Sequence, residues 1–155
     1  TKKTATLISA CCAVGVQSTD ADEKYVEMAR NFGEKVGIAF QIKDDLFDYG
    51  DAEIGKPTGI DIKEKKMTLP LIFALNQASW SEKRRVINLV KNESNKPAKV
   101  QEVIDFVKRS GGIQYTQQVM NRFVEEANAI LSTFPDTIYR KSLSNLIQFT
   151  IERTK

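Results

Sequence analysis

Histidine is absent from all 155 residues. That excludes a Ser-His-Asp or Cys-His catalytic group and every zinc site that needs an imidazole. Cysteine is almost absent: Cys11 and Cys12 are the two, and they are adjacent. Neighbouring cysteines rarely bridge each other and no CxxC occurs, so neither a disulfide framework nor a metal knuckle is implied; a reducing cytoplasm fits. Strand signals are missing as well, with no hairpin turn, internal repeat or low-complexity tract. A basic face is lacking too. The net charge is only +3 and the bases are scattered, which does not make a nucleic-acid footprint.

What is present is ordinary soluble composition, 41% hydrophobic and 28% charged, enough for one domain with a core. The opening "TKKTATLISACCAVGV" places two lysines before an apolar run, as a signal peptide does. The run contains Ser9, Cys11 and Cys12 and is too short to span a bilayer, so a buried helix over 3–16 is expected and no transmembrane segment. The chain lacks an initiator Met, so a start inside a longer gene product is expected.

Nearly everything else reads as helix. Ser18, Thr19 and Asp20 precede Glu23, a capping signature. Apolar positions then recur at three and four through Val26, Ala29, Phe32, Val36, Ala39 and Phe40. This predicts one helix of about 28 residues, roughly 40 Å long. Gly33 and Gly37 lie inside it, four apart, where a second helix could approach closely. A loop with three glycines follows from Gly50 to Gly59. Further helices are expected from "MTLPLIFALNQA", from "SEKRRVINLVKN" capped by Ser81, from Pro97 to the stop at Gly111-Gly112, and from the segments on either side of Pro135. The reading is all-α, one unit over 1–155.

The end of the long helix carries the chemistry. "FQIKDDLFDYGDAEIGKPTGIDI" places Asp44, Asp45, Asp48, Asp51 and Glu53 together, with no base among positions 44–53. On a helix, Asp44 and Asp48 stack on one face and Asp45 lies beside Asp48, with Gln41 one turn earlier. Like charges at a helix C-terminus destabilise it, which calls for an outside cation. All-oxygen donors with no His or Cys nearby suit Mg²⁺, which often completes its shell with waters and substrate phosphates. Lys3, Lys56 and Lys66 are separate point charges suited to phosphate. Such a set fits a diphosphate leaving group, whose charge is neutralised without proton transfer. From spacing alone, a solvated acidic surface describes the same pattern. An EF-hand does not fit, because its loop register is absent.

Four segments in order, "KTATL" (3–7), "FQIKDDLFDYGD" through "GKPTGIDI", "KKMTLP" and "SGGIQYT" (110–116), resemble the trans-isoprenyl diphosphate synthases, also called polyprenyl synthetases. The resemblance spans nearly the whole chain and centres on their second aspartate-rich motif. It implies an isoprenoid-synthase-type helical bundle, homodimeric as a rule. It also implies head-to-tail condensation of isopentenyl diphosphate with an allylic diphosphate under Mg²⁺. In that family the allylic C–O bond ionises, the alkene attacks the cation, and a proton passes to the released diphosphate.

By position, the resemblance implies that Asp44 is a direct metal ligand, supported by Asp45 and Asp48, with Asp61 in the outer shell. Lys3, Lys56 and Lys66 would hold the allylic diphosphate. Thr4 and Gln41 would line the carbocation end with polar oxygens, and Phe40 would pack beside the substrate. Lys65 stands where the family commonly has glycine. The family's first aspartate-rich motif and the residues that set product length are not among the 155. The chain therefore looks like the C-terminal half of such an enzyme, carrying half a metal site, inactive alone, and with an apolar exposed surface. The alternatives are a non-catalytic partner subunit of a heteromeric synthase and a cyclase or head-to-head synthase of the same fold.

Overall fold

A computed structural model describes residues 2–50 and 58–153. The described residues form eight helices: α1 (Lys2–Gln17), α2 (Glu23–Phe47), α3 (Ile60–Lys63), α4 (Leu69–Gln77), α5 (Trp80–Asn92), α6 (Pro97–Arg109), α7 (Gly112–Ser132) and α8 (Ile138–Glu152). No strand occurs among the described residues, so the all-α expectation holds. Nor is any described helix long and apolar enough to cross a membrane.

The helices group into two compact units. The first comprises α1, α2 up to Lys43, α7 from Val119, and α8; the second runs from Asp44 to Gln118.

In the first unit, α1 meets α2 through small residues. A Cβ on Gly37 would lie 2.6 Å from Ala5 Cα, and one on Gly33 would lie 2.8 Å from the Ile8 carbonyl oxygen. Only glycine permits that approach, as the four-residue spacing anticipates. Ser9 Oγ reinforces it by donating to the Arg30 carbonyl at 2.8 Å. On the far side of α2, Lys35 pairs with Glu126 of α7 at 2.7 Å. The unit also leaves apolar side chains in solvent: Leu7 and Val14 on α1, and Ile138, Tyr139 and Phe149 on α8. This agrees with the expected exposed apolar surface.

The second unit has a conventional core. Ile62, Leu71, Val86, Phe106 and Val107 are fully buried together with Tyr49. Gly59 opens α3 at φ 76°, and a Cβ there would sit 2.2 Å from Val100 Cγ1. Both the left-handed backbone and the α6 contact therefore require glycine.

Three local readings are corrected. Helix α2 starts at Glu23 rather than beside Ser18–Asp20. The Ser18 and Thr19 hydroxyls instead donate back to the Gly15 and Val16 carbonyls, both at 2.8 Å, and so finish α1. Asp20 takes φ 53°, which breaks the chain between the helices. The N-cap of α5 is Ser79, not Ser81; its Oγ accepts the Glu82 N–H, because the Ser-x-x-Glu spacing of a capping box starts at Ser79. Finally, α3 adds a four-residue helix over Ile60–Lys63, a stretch for which the sequence pattern predicts no helix.

Candidate functional site

The last turns of α2 bring Asp44, Asp45 and Asp48 to the start of the second unit. Asp44 and Asp45 are half-buried, while Asp48 is buried. Asp48 is held tightly. Its Oδ1 accepts the Ile60 N–H at 2.7 Å and its Oδ2 accepts the Asp61 N–H at 3.1 Å. The first amides of α3 would otherwise lack partners. The carboxylate thus ties the end of α2 to the residue that carries Asp61. Burial raises the Asp48 pKa, and the Asp61 N–H opposes the rise.

Asp45 shows the cost of this crowding. Burial, followed by the nearby Asp61 carboxylate, pushes its carboxyl up to about 6. Asp61 in turn accepts from Lys66 Nζ at 3.0 Å, and Glu64 lies 2.6 Å from the same ammonium. The lysine is exposed, and its hydrogen bonds to Glu64 and Asp61 hold its pKa above the ordinary value. Asp45, Asp48, Asp61 and Lys66 are therefore gathered into one electrostatic group. Lys56 lies outside the described residues. Among the described residues no three carboxylates lie close enough together to hold a metal ion by themselves.

Beneath the group, Tyr49 is 1% exposed and its Oη lies 2.7 Å from Thr68 Oγ1. Thr68 occupies the N-cap position of α4 yet makes no capping bond with its side chain; its hydroxyl serves the phenol instead. Sequence reasoning passed over this pair, although a tyrosine directly after the last aspartate of the helix was the available signal.

The first unit holds the remaining candidates. Lys3 is exposed and Thr4 half-buried in the first turn of α1; Phe40 and Gln41 are half-buried on α2. Phe40 has a partner that the sequence did not announce. The Arg153 guanidinium carbon sits 4.0 Å from its ring centroid, and Nη2 donates to the Phe40 carbonyl at 3.5 Å. Burial, and then Arg153, lower the pKa of neighbouring Lys43.

The profile of the polyprenyl synthetase family matches residues 1–107. The chain belongs to that family. It is 30% identical over 155 residues to a probable mitochondrial hexaprenyl pyrophosphate synthase of Yarrowia lipolytica, covering 99% of this chain and 33% of that protein. Its fold matches a geranylgeranyl pyrophosphate synthase from Bacteroides thetaiotaomicron with a TM-score of 0.90 and 37% identity, covering 98% of this chain and 50% of the other. It also matches a Caulobacter crescentus polyprenyl synthase complexed with calcium and isoprenyl diphosphate. There the TM-score is 0.87 and the identity 30%, over 99% of this chain and 47% of the other. The chain thus spans a third to a half of the length of these polyprenyl synthetase relatives, and within that span the helical fold is the family's.

Proposed function

We propose that the protein carrying this chain is a trans-prenyltransferase that joins isopentenyl diphosphate to an allylic diphosphate, head to tail, as a homodimer. The observation that carries this reading is the acidic end of α2. Asp45 is pushed up to about 6 by burial and by Asp61, a crowding that a bound cation would relieve. The donor set is all oxygen, which fits Mg²⁺. In this reading Asp44 and Asp45 would hold the cation; Asp48, with both oxygens on α3 amides, would support them, and Asp61 would stand in the outer shell. Bound Mg²⁺ would supply charge neutralisation for the departing diphosphate.

The other roles belong to the chain's own side chains. Lys66 moves from Asp61 and Glu64 onto the diphosphate, which is a stronger anion, and Lys3 and Lys56 add to its binding. Gln41 and Thr4 offer oxygens to the developing allylic cation, with Phe40 beside it. No histidine is needed, because the departing diphosphate takes the electron pair of the C–O bond and then accepts the proton. This chain contains one aspartate-rich motif, and turnover in this reading needs the second.

Calorimetric titration of inorganic diphosphate, with and without Mg²⁺, tests the site. Mg²⁺-dependent binding that is lost in Asp44→Ala/Asp45→Ala is the expected result; equal binding by the variant would overturn the assignment. On the whole protein, elongation consumes isopentenyl diphosphate in molar excess over the allylic primer, whereas a non-catalytic subunit or a cyclase does not.

A further inference from the structure

The single tryptophan of the chain stands in solvent. Trp80 is 75% exposed at the first position of α5, and burying so large a ring is ordinarily favourable. Arg84 lies along it, its guanidinium carbon 5.4 Å from the ring centroid. At about 100° per residue, Trp80, Arg84, Ile87 and Lys91 fall in one stripe about 60° wide. Arg84 and Lys91 are exposed and Ile87 is half-buried at the base of the stripe. The acids nearest in sequence, Glu82 and Glu93, project from the opposite side of the helix by the same geometry.

The charges of the stripe also differ from their neighbours. Arg85 and Lys99 pair with Glu102, and Lys96 pairs with Glu93. Among the described residues, neither Arg84 nor Lys91 has an acidic partner. The apolar side of α5, with Val86, Leu89 and Val90, is buried in the core, so what the stripe offers outward is a ring with a polar edge and two bases without acidic partners, a set that suits an anionic headgroup surface.

We propose that the Trp80–Arg84–Lys91 stripe of α5 docks the protein reversibly on an anionic lipid surface. The inference does not rest on the catalytic reading, though a product with a long apolar tail and a diphosphate head would be released where it dissolves.

Because no other tryptophan is present, the emission of Trp80 reports this contact directly. The chain is titrated with phosphatidylcholine vesicles with and without phosphatidylglycerol, and co-sedimentation is followed in parallel. A blue shift and co-sedimentation with the anionic vesicles alone, reversed by high salt, are expected. Each base near a lipid surface changes partitioning about fivefold, so Arg84→Gln/Lys91→Gln should lose about 25-fold. Both positions are exposed, and circular dichroism checks that the helices persist. Co-sedimentation without a blue shift would place the contact on another face and overturn the proposal. So would equal binding to neutral vesicles, unchanged binding by the double variant, or a blue shift that grows with protein concentration when no lipid is present.

Discussion

Asp48 Oδ1 accepts the backbone N–H of Ile60 at 2.7 Å. The residue that ends the aspartate pattern is thereby the residue that seats α3, and Asp61 follows from that seat. Asp48→Ala leaves the Ile60 and Asp61 amides without this acceptor, at a cost of roughly 2–3 kcal/mol in unfolding free energy. Asp48→Asn keeps one acceptor oxygen and should recover part of the loss. Urea unfolding of both variants measures the difference. Equal stability of Asp48→Ala and the parent chain would show that the clamp contributes nothing.

The Tyr49–Thr68 pair is buried, and its two oxygens lie 2.7 Å apart. Tyr49→Phe leaves the Thr68 hydroxyl buried without the phenol and should cost about 1–2 kcal/mol. Replacing both partners, Tyr49→Phe with Thr68→Val, removes the stranded group and should cost less than the sum of the single changes. A double-mutant cycle by urea unfolding reads this coupling; additive single changes would mean the hydroxyls do not depend on each other.

Gly37 is closed to any side chain by Ala5, whose Cα lies 2.6 Å from the position of an added Cβ. The obstruction is backbone, so α1 must shift as a whole. Gly37→Ala should therefore destabilise by about 1–3 kcal/mol, despite the better helix propensity of alanine. Gly15, where an added Cβ meets nothing within 4 Å, is the control. Gly15→Ala should be neutral or stabilising in the same thermal unfolding experiment.

The uneven legibility of the sequence follows from what each feature depends on. The long helices show their period within themselves, and Gly33–Gly37 announced a close helix contact because four-residue spacing is local information. Helix α3 is different. Its four residues hold together because Asp48, twelve positions earlier, takes the Ile60 amide, and no window of sequence contains that. The cap expected at Ser18–Asp20 failed for a related reason: hydroxyls there can serve the helix behind or the helix ahead, and the turn at Asp20 decides. At the candidate site, the acids and Lys66 were legible from their residue types. The Arg153–Phe40 stack was not, because it joins residues 113 positions apart.

Lys65 holds φ 59° just after α3, a conformation that costs a side chain about 1–2 kcal/mol and glycine nothing. Lys65→Gly should raise stability by about 0.5–1 kcal/mol once the greater freedom of the unfolded glycine is subtracted. Denaturant midpoints measure it, and a destabilised variant would mean that the lysine side chain contributes more than the strain removes.

The pH dependence of cation binding tests the acid group most directly. In the metal-free chain the Asp45 carboxyl is raised from 3.8 to about 6, by burial first and Asp61 second. A raised carboxyl favours the folded state when protonated, so its contribution to stability is present below about pH 4 and lost as pH rises through 6. Cation binding runs the other way, because a carboxylate must lose its proton to ligate. Mg²⁺ affinity in the presence of inorganic diphosphate should therefore fall about tenfold per pH unit below 6, beyond the change due to titration of diphosphate itself, and level off above 7. Asp45→Asn should weaken binding at pH 7.5 and remove that excess slope. Calorimetry at pH 5, 6, 7 and 8, with the diphosphate protonation subtracted, measures both quantities. A slope that survives in Asp45→Asn would assign the titration to another group and remove Asp45 from the ligand set.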